Sequence, residues 1–335
     1  MLDFCDVLIR PKESTLNSRS EVSLSCTKKK FKHSPMAWTG TPIIVSNMDT
    51  TGTFEIYKAS KEYGIITALH KFYTADDYRD ACKKYKLDPN NFMVTVGLMD
   101  IDNLVEISKV VAIKWICIDV ANGYIPKLLK FCKIVRKLFP DNIIVAGNVV
   151  TAERTVELLE SGVDIVKVGI GPGAACTTRI QTGIGMPQLS AIQECAEAAH
   201  RHGGMIIGDG GITCPGDMVK AFGGGADFVM AGSLFAGHAE NPGCTIEENG
   251  SMYKLFYGMS SRKAMERHGG VKDYRTSEGR ALKIRYKGDI KNTILDYFGG
   301  IRSACTYIGA KSIDLIHKNT TFLLVKHQAN FSLVR

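Results

Sequence analysis

The chain has 335 residues, of which 45% are hydrophobic and 23% are charged, and its formal net charge is +8. This composition excludes a disordered protein, a collagen and a small disulfide-rich secreted fold. The length allows about two domains of average size or one large α/β barrel. The ten cysteines form no Cys-x-x-Cys pair and the histidines lack paired ligand spacing, which indicates a reducing compartment rather than a disulfide framework or a zinc site.

Neither a membrane nor a nucleic acid is expected as a partner. No apolar run approaches the roughly 20 residues of a membrane span, and the first residues are acidic where a signal peptide is basic. We therefore expect a cytoplasmic protein. The one basic run, Lys28-Lys29-Lys30 followed by Lys32 and His33, has no nucleic-acid-binding motif near it. A solvated basic surface that attracts small anionic ligands is the better interpretation.

Eight short apolar segments have the character of strands that are buried on both faces of a parallel sheet. They lie at residues 42–47, 65–70, 93–98, 115–121, 143–149, 165–169, 205–208 and 228–231. Amphipathic segments typical of helices lie between them, at 125–139, 152–161, 188–202 and 214–222. This alternation predicts an α/β protein with a (β/α)₈ TIM barrel. An open doubly wound sheet is the alternative, and it is disfavoured because no G-x-G-x-x-G fingerprint follows a first strand.

The remaining segments are predicted to be an N-terminal extension (1–40) and a decoration of the barrel after about residue 240. Within the decoration, Glu247-Glu248-Asn249-Gly250 predicts a hairpin turn before 252–257. The polar stretch 260–287 is a candidate mobile lid, and 289–308 returns to a helical pattern. We expect residues 1–335 to form a single catalytic barrel domain, with strands between about 42 and 234, a flap at about 260–290 and no regulatory insert domain.

A barrel of this kind places its active site at the carboxyl ends of the strands. The segment after the sixth strand, residues 169–179, reads G-I-G-P-G-A-A-C-T-T-R. Its Cys176, beside Arg179 and hydroxyl donors that would stabilise a thiolate, is the candidate nucleophile, whereas the other nine cysteines fit buried apolar positions. Two glycine turns after the last two strands are candidate ribose and phosphate sites, with ordinary tight turns as the alternative: Asp209, Gly210 and Gly211, then Gly232 and Ser233.

Five motifs occur in an order that resembles one known family. They are the 169–179 loop, D-V-A-N-G at 119–123, A-G-N-V-V-T at 146–151, P-Q-L-S-A at 187–191 and Y-G-M-S-S at 257–261. Together they resemble the IMP dehydrogenase and GMP reductase family, from Asp3 to about Phe322. The resemblance implies the barrel, a homotetramer and a catalytic cysteine that attacks C2 of a purine nucleotide.

Three features resemble the reductase branch, which deaminates GMP to IMP with NADPH, more than the dehydrogenase branch, which oxidises IMP to XMP with NAD. Only about 22 residues separate the second and third strands, where dehydrogenases usually carry regulatory modules. The flap reads D-Y-R-T-S-E-G at 273–279, and residues 299–307 read G-G-I-R-S-A-C-T-Y. Arg285-Tyr286 is interpreted as strand packing rather than as the water-activating Arg-Tyr pair of the dehydrogenase. IMP dehydrogenase remains the alternative.

The resemblance also implies the catalytic roles. Cys176 would form a thioimidate at C2 of GMP, and Thr178 with Glu278 would move the proton that the departing amine needs. A positioned acid of this kind typically contributes a factor of about 10² to 10⁴ in rate. Lys71 and Asp119 match a charged pair of the family near the leaving group and the nicotinamide, with an interior salt bridge as the alternative interpretation.

The binding residues follow from the same resemblance. GMP is expected at Asp209, Gly210, Gly211, Gly232, Ser233, Gly258, Met259, Ser260, Arg275, Thr276, Ser277 and Gly279. NADPH is expected at Lys71, Asp119, Val120, Ala121, Ile170, Gly171, Met259, Tyr274 and Arg275, with Ser18, Arg19, Ser303, Ala304, Cys305 and Thr306 from a neighbouring subunit. Arg19 is the candidate for the 2′-phosphate, and the carbonyls of Gly171 and Gly173 would hold potassium.

The sequence departs from the family pattern at three places. Ala174 stands where the family usually has Ser, Ser233 replaces a common Gly, and Ile125-Pro126 replaces the usual Ser-Glu. None of them changes Cys176 or its proposed proton-transfer partners. Two other classes of function are weaker alternatives. A nucleotide-binding barrel with a regulatory role does not need a reactive cysteine, and a phosphate-binding barrel isomerase explains neither Cys176 nor the long flap.

Overall fold

The computed structural model describes residues 1–268 and 276–328. Its strands, in chain order, are β1 Val7–Ile9, β2 Cys26–Lys28, β3 Trp38–Gly40, β4 Ile43–Val45, β5 Ile66–Leu69, β6 Phe92–Val96, β7 Trp115–Asp119, β8 Ile143–Val149, β9 Ile165–Val168, β10 Met205–Asp209, β11 Phe228–Ala231, β12 Ile246–Glu248, β13 Ser251–Tyr257, β14 Ala281–Arg285 and β15 Phe322–Leu324. Its helices are α1 Phe54–Ser60, α2 Ala75–Lys84, α3 Ile101–Val110, α4 Pro126–Leu138, α5 Ala152–Glu160, α6 Thr178–Thr182, α7 Gln188–Arg201, α8 Pro215–Gly223, α9 Arg262–His268, α10 Ile290–Ile308 and α11 Ile316–Asn319.

Within this described part of the chain, the eight strands β4 to β11 close into a parallel barrel. Each pairs with the next, and β11 pairs with β4 to complete the circle. The predicted TIM barrel and all eight predicted strands are therefore confirmed, with ends that differ by no more than two residues. The four predicted helices are confirmed as α4, α5, α7 and α8. Both faces of the strands are buried because helices cover the outside and side chains fill the interior.

Helix α10 is the eighth helix of the barrel. It packs against α8 on one side and α1 on the other, so it closes the ring around the strands. Asp289 caps it by accepting a hydrogen bond from the Lys291 N–H at 2.7 Å. The prediction that everything after about residue 240 decorates the barrel is therefore wrong for α10. Of the helices in the described residues, none has the length and apolar character needed to cross a bilayer.

The decoration proper lies between β11 and α10 and consists of the antiparallel sheet β12-β13-β14 with helix α9. The predicted hairpin turn is confirmed, with Asn249 at φ 51° and Gly250 at φ 72°. Two successive left-handed residues are what a two-residue type I′ turn requires. Arg285 lies in β14 opposite Tyr253, as predicted for a strand. Helix α9 lies near the start of the predicted lid and β14 near its end, and the mobility of the lid stays a prediction.

The N-terminal extension closes the bottom of the barrel. Trp38 of β3 is buried and packs edge-on against Trp115, at the start of β7, with ring centroids 5.8 Å apart. Phe228, at the start of β11, lies 5.2 Å from the Trp38 ring. The Trp38 indole N–H donates to the Asn90 carbonyl at 2.9 Å, so the large side chain is buried without losing its hydrogen bond. The opposite end, where the strands finish, is left for a ligand.

Candidate active site

A cavity of about 540 Å³ lies at the carboxyl ends of the barrel strands, with walls from the strand ends, the 169–179 loop and the decoration. Its volume is in the range of small-molecule sites, about 300 to 1,000 Å³. Many of the predicted site residues line it: Lys71, Asp119, Val120, Ala121, Ile170, Gly171, Gly173, Cys176, Thr178, Asp209, Gly210, Gly211, Gly232, Ser233, Gly258, Met259, Ser260 and Glu278.

The glycine-rich loop presents Cys176 to the cavity. The Cys176 N–H donates to the Gly173 carbonyl at 2.9 Å, which turns the chain sharply before α6. Gly171 has φ 84°, and a Cβ there would lie 2.4 Å from Cγ of Arg179, so only glycine fits. The Arg179 guanidinium hydrogen-bonds the Met186 carbonyl at 2.5 Å and lies 3.4 Å from Asp3. Arg179 therefore supports the loop, and the thiol's hydrogen-bond partner is a different residue.

That partner is Thr178. Sγ of Cys176 lies 3.2 Å from Oγ1 of Thr178, and this hydroxyl donates to Oε2 of Glu278 at 2.8 Å. All three side chains are partly buried and line the cavity. The chain of two hydrogen bonds connects a nucleophile to a carboxyl group through a hydroxyl, which is the geometry that proton transfer beside a nucleophile needs.

Main-chain hydrogen bonds hold Glu278 in this position. Its N–H donates to the Ser260 carbonyl at 3.1 Å, and its own carbonyl accepts the Thr177 N–H at 2.8 Å. The next residue but one, Arg280, donates its N–H to the Ala175 carbonyl at 2.9 Å. The segment 278–280 is therefore fixed between the cysteine loop and the loop at 258–261. Sequence reasoning identified each of these loops but did not predict that they pair.

Four charged side chains meet on the opposite side of the cavity. Nζ of Lys167 lies 2.9 Å from Oδ1 of Asp119 and 3.1 Å from Oδ2 of Asp209. Burial alone would raise the pKa of Asp119, but the positive charges of Lys167 and then Lys71 hold it below its usual range. The predicted pairing of Asp119 with Lys71 is thus an electrostatic interaction across the cavity, and the contact ion pair of Asp119 is with Lys167.

The glycine turns after β10 and β11 lie beside the cysteine loop. Gly210 and Gly211 have φ 93° and 79°, and a Cβ on Gly210 would lie 3.1 Å from Pro172. Oδ2 of Asp209 also accepts a hydrogen bond from Nδ2 of Asn148 at 2.8 Å. A carboxylate held on one oxygen beside exposed turns suits a ribose and a phosphate, because ribose hydroxyls donate and turn N–H groups bind anions.

The prediction that the nine other cysteines are buried is wrong for four exposed ones: Cys5, Cys82, Cys214 and Cys244.

Some of the predicted site residues do not line the cavity. Gly279 pairs with Cys176 behind the wall of the cavity, and the Ser277 hydroxyl donates to the Gly279 carbonyl at 2.8 Å. Thr276 is exposed. Tyr274 and Arg275 lie outside the described residues. A further group lies on one surface away from the cavity, where the short helix capped by Ser18 packs on α10: Ser18, Arg19, Ser303, Ala304, Cys305 and Thr306.

None of these residues lines the cavity of their own chain. Among them, Cys305 is fully buried, so the predicted contact of this residue with a cofactor is not available at this surface.

Three features of the site were missed from the sequence. Lys167 was counted as part of an apolar strand, although a lysine inside such a run needs a buried partner. Asn148 belongs to the A-G-N-V-V-T motif, but its hydrogen bond to Asp209 was not predicted. His268 of α9 stacks on Phe72 with ring centroids 3.5 Å apart, and both line the cavity. Nothing in the sequence signals this last contact, because its two residues are far apart along the chain.

Comparison with known proteins agrees with this geometry. A family model described as "IMP dehydrogenase / GMP reductase domain" matches residues 1–331. The chain belongs to this family. Among its relatives, the GMP reductase of Klebsiella pneumoniae is 52% identical over 334 residues, which is 98% of this chain and 96% of the relative. GMP reductase 1 of Mus musculus is 51% identical over 333 residues, and the GMP reductase of Vibrio cholerae is 51% identical over 335, with the same coverage of both chains. The predicted family is confirmed.

Proposed function

We propose that this protein is a GMP reductase, an oxidoreductase that converts GMP to IMP and ammonia with NADPH through a thioimidate on Cys176. The observation that carries the proposal is the hydrogen-bonded series of Cys176, Thr178 and Glu278 in the cavity. A departing amine needs a proton, and a carboxyl group connected through a hydroxyl supplies one at the reacting carbon. The names of the relatives, which align along 98% of the chain, support the same activity.

The proposed reaction begins at the sulfur. The Cys176 thiol passes its proton through Thr178 to Glu278, and the resulting thiolate bonds to C2 of GMP. The proton then returns through Thr178 to the 2-amino group, and ammonia leaves as the C2–N bond breaks. The product of this step is a thioimidate. NADPH, when bound, supplies the hydride that reduces C2. The sulfur then leaves with its bonding electrons, so that one GMP, one NADPH and two protons give one IMP, one ammonium and one NADP⁺.

The nucleotide would bind with its ribose at Asp209 and its phosphate at the turns. Gly210, Gly211, Gly232 and Ser233 surround one end of the cavity, and Ser233 offers a hydroxyl where Ala174 lacks one. The base would lie against Gly258, Met259 and Ser260, beside the cysteine. Thr276, Ser277 and Gly279 would act by holding Glu278 rather than by touching the base, and a role for Arg275 in binding GMP remains a prediction.

The cofactor would occupy the side of the cavity with Lys71, Asp119, Val120, Ala121, Ile170 and Gly171. These residues line one continuous space with Cys176, so a nicotinamide there would face C2 of the nucleotide. Tyr274 and Arg275 remain predicted contacts. Ser18, Arg19 and the 303–306 segment would act from a second subunit of the proposed homotetramer, because their surface lies away from the cavity of their own chain.

A potassium ion is proposed at the carbonyls of Gly171 and Gly173. The residues fit, because K⁺ prefers oxygen ligands and the loop is made of glycines whose carbonyls are not covered by side chains. The Gly173 carbonyl already accepts the Cys176 N–H, and its second lone pair is the one available to the ion. The ion would then hold the loop that carries the nucleophile.

The alternative is an IMP dehydrogenase. Residues 70–91, between β5 and β6, contain helix α2 and no inserted domain, and Arg285 belongs to β14 rather than to the cavity wall. Both observations favour the reductase, although dehydrogenases without the insert exist. We further propose that the chain acts as a single catalytic domain in the cytoplasm.

A paired assay tests the function. Purified protein is given GMP with NADPH, or IMP with NAD⁺, and absorbance at the nicotinamide band is followed. We expect NADPH consumption with GMP and no NADH from IMP. Cys176→Ala should abolish turnover and retain GMP binding, while Cys214→Ala, an exposed cysteine outside the cavity, serves as the matched control. NADH production from IMP would overturn the proposal in favour of the dehydrogenase.

A further inference from the structure

Lys167 is the most buried charged side chain of the cavity. It projects inward from β9, its side chain is 2% exposed, and its ammonium group lies between two carboxylates that come from different strands. Asp119 ends β7 and Asp209 ends β10, on either side of β9 and its neighbour β8 in the barrel. The third neighbour is Oδ1 of Asn47, at 3.4 Å. The ammonium nitrogen also lies 3.9 Å from Sδ of Met230 in β11. Lys167 therefore contacts residues after or within four other strands.

The two carboxylates belong to different halves of the cavity. Asp209 is the proposed ribose ligand, and Asp119 lies on the proposed cofactor side. Without a cation between them they would repel each other, because two carboxylates that share a poorly solvated space cannot both ionise easily. The charges balance as they stand, since Lys71 and Lys167 offset Asp119 and Asp209.

We propose that Lys167 is a positioning residue that fixes Asp119 and Asp209 relative to each other and so links the nucleotide half of the cavity to the cofactor half. This proposal rests on the proposed function, because the two halves are named by the ligands that the function assigns to them. Lys167 acts through the carboxylates, because its ammonium nitrogen lies within hydrogen-bond distance of Asp119, Asp209 and Asn47. The contact geometry alone accounts for a lysine inside the otherwise apolar Ile165–Val168 strand.

The link has an electrostatic consequence at Asp119. The charged groups around this carboxylate are Lys167 on β9, Lys71 after β5 and Asp209 on β10, and the Cys117 thiol lies near it on its own strand. Burial raises the pKa of Asp119 and the lysines lower it, with Lys167 ahead of Lys71. Removal of Lys167 therefore leaves burial and the Asp209 charge opposed by Lys71 and by the hydrogen bond from Asn47 alone, and protonation of Asp119 moves to higher pH.

The test compares Lys167→Met and Lys167→Arg with Lys220→Met. Lys220 is also buried, at 5% exposure, but it donates to the Phe4 carbonyl, outside the cavity. We measure the dissociation constant for GMP by calorimetry and the pH dependence of kcat at saturating GMP and NADPH. In Lys167→Met we expect GMP to bind about tenfold more weakly and the acidic limb of kcat to move up by about one pH unit or more. Lys167→Arg keeps the positive charge, so the acidic limb of kcat should stay at its wild-type pH.

A purely structural lysine would behave as Lys220 does, with lower thermal stability and neither change. Unaltered GMP binding and an unaltered acidic limb in folded Lys167→Met would overturn the proposal. If that variant does not fold, Lys167→Met with Asp209→Asn removes one of the two opposed carboxylates, and the shift of the acidic limb is measured there. The wild-type arm tests the proposed function separately, because absence of GMP-dependent NADPH consumption refutes that function before any variant is compared.

Discussion

The proposed proton path between Cys176 and Glu278 passes through a single group, the Thr178 hydroxyl. Thr178→Val keeps the shape of the side chain and removes the one atom that contacts both Cys176, at 3.2 Å, and Glu278, at 2.8 Å. The carboxyl group of Glu278 then has no route to the amine at C2 other than water.

The size of the effect follows from the chemistry of the step. A positioned acid typically contributes a factor of about 10² to 10⁴, which corresponds to about 3 to 5 kcal/mol in activation free energy. Thr178 does not lie at the proposed ribose or phosphate turns, so GMP affinity should change by no more than about threefold. Thr178→Ser, which restores the hydroxyl, should recover most of the activity.

The assay is steady-state NADPH consumption with GMP, together with calorimetric binding of GMP. Thr182→Val is the matched control, because Thr182 lies one turn further along α6 and its hydroxyl donates to the Thr178 carbonyl outside the cavity. It should retain wild-type kcat. If Thr178→Val also keeps kcat within about threefold of wild type, the hydroxyl is not in the proton path and the reasoning is refuted.

Three further changes have expected outcomes. Gly258→Ala should weaken GMP binding by about tenfold or more, because its Cβ would lie 2.9 Å from the Ala175 carbonyl, while Gly299→Ala has open space and should bind normally; equal affinities would contradict this. His70 is half-buried and this burial lowers its pKa to about 4, so the native state does not bind the proton that the unfolded state binds below about pH 6.5. The free energy of unfolding should therefore fall as the pH drops from about 6.5 to about 4, and His70→Asn should lessen that fall by up to about 3 kcal/mol in urea titrations; parallel pH profiles would exclude the effect. Trp38→Ala should cost about 3 to 5 kcal/mol in the same titrations, and a loss below about 1 kcal/mol would show that the bottom of the barrel does not depend on this ring.

The sequence was informative where one physical rule acts locally. Strands such as Ile143–Val149 are buried on both faces, so their apolar runs are visible without any knowledge of their neighbours. The turn at Asn249-Gly250 was predictable for a similar reason, because few residues adopt two successive left-handed conformations. The position of Cys176 at a strand end also followed from the barrel.

What could not be predicted depends on contacts between distant segments. β1 pairs with β15, some 315 residues later, and neither three-residue strand has a local signal that names the other. The ion pairs of Lys167 depend on the barrel register, which directs its side chain inward to Asp119 and Asp209. The pairing of 278–280 with the cysteine loop is of the same kind, and it is what places Glu278 beside Thr178.

The central claim is that Cys176 mediates reductive removal of the 2-amino group of GMP. The most direct measurement is the stoichiometry of one reaction, with NADPH followed by absorbance, ammonium by a coupled assay and the nucleotide by chromatography. We expect one ammonium and one IMP for each NADPH consumed, and none of the three changes in Cys176→Ala. Formation of XMP, or NADPH consumption without release of ammonium, would contradict the claim.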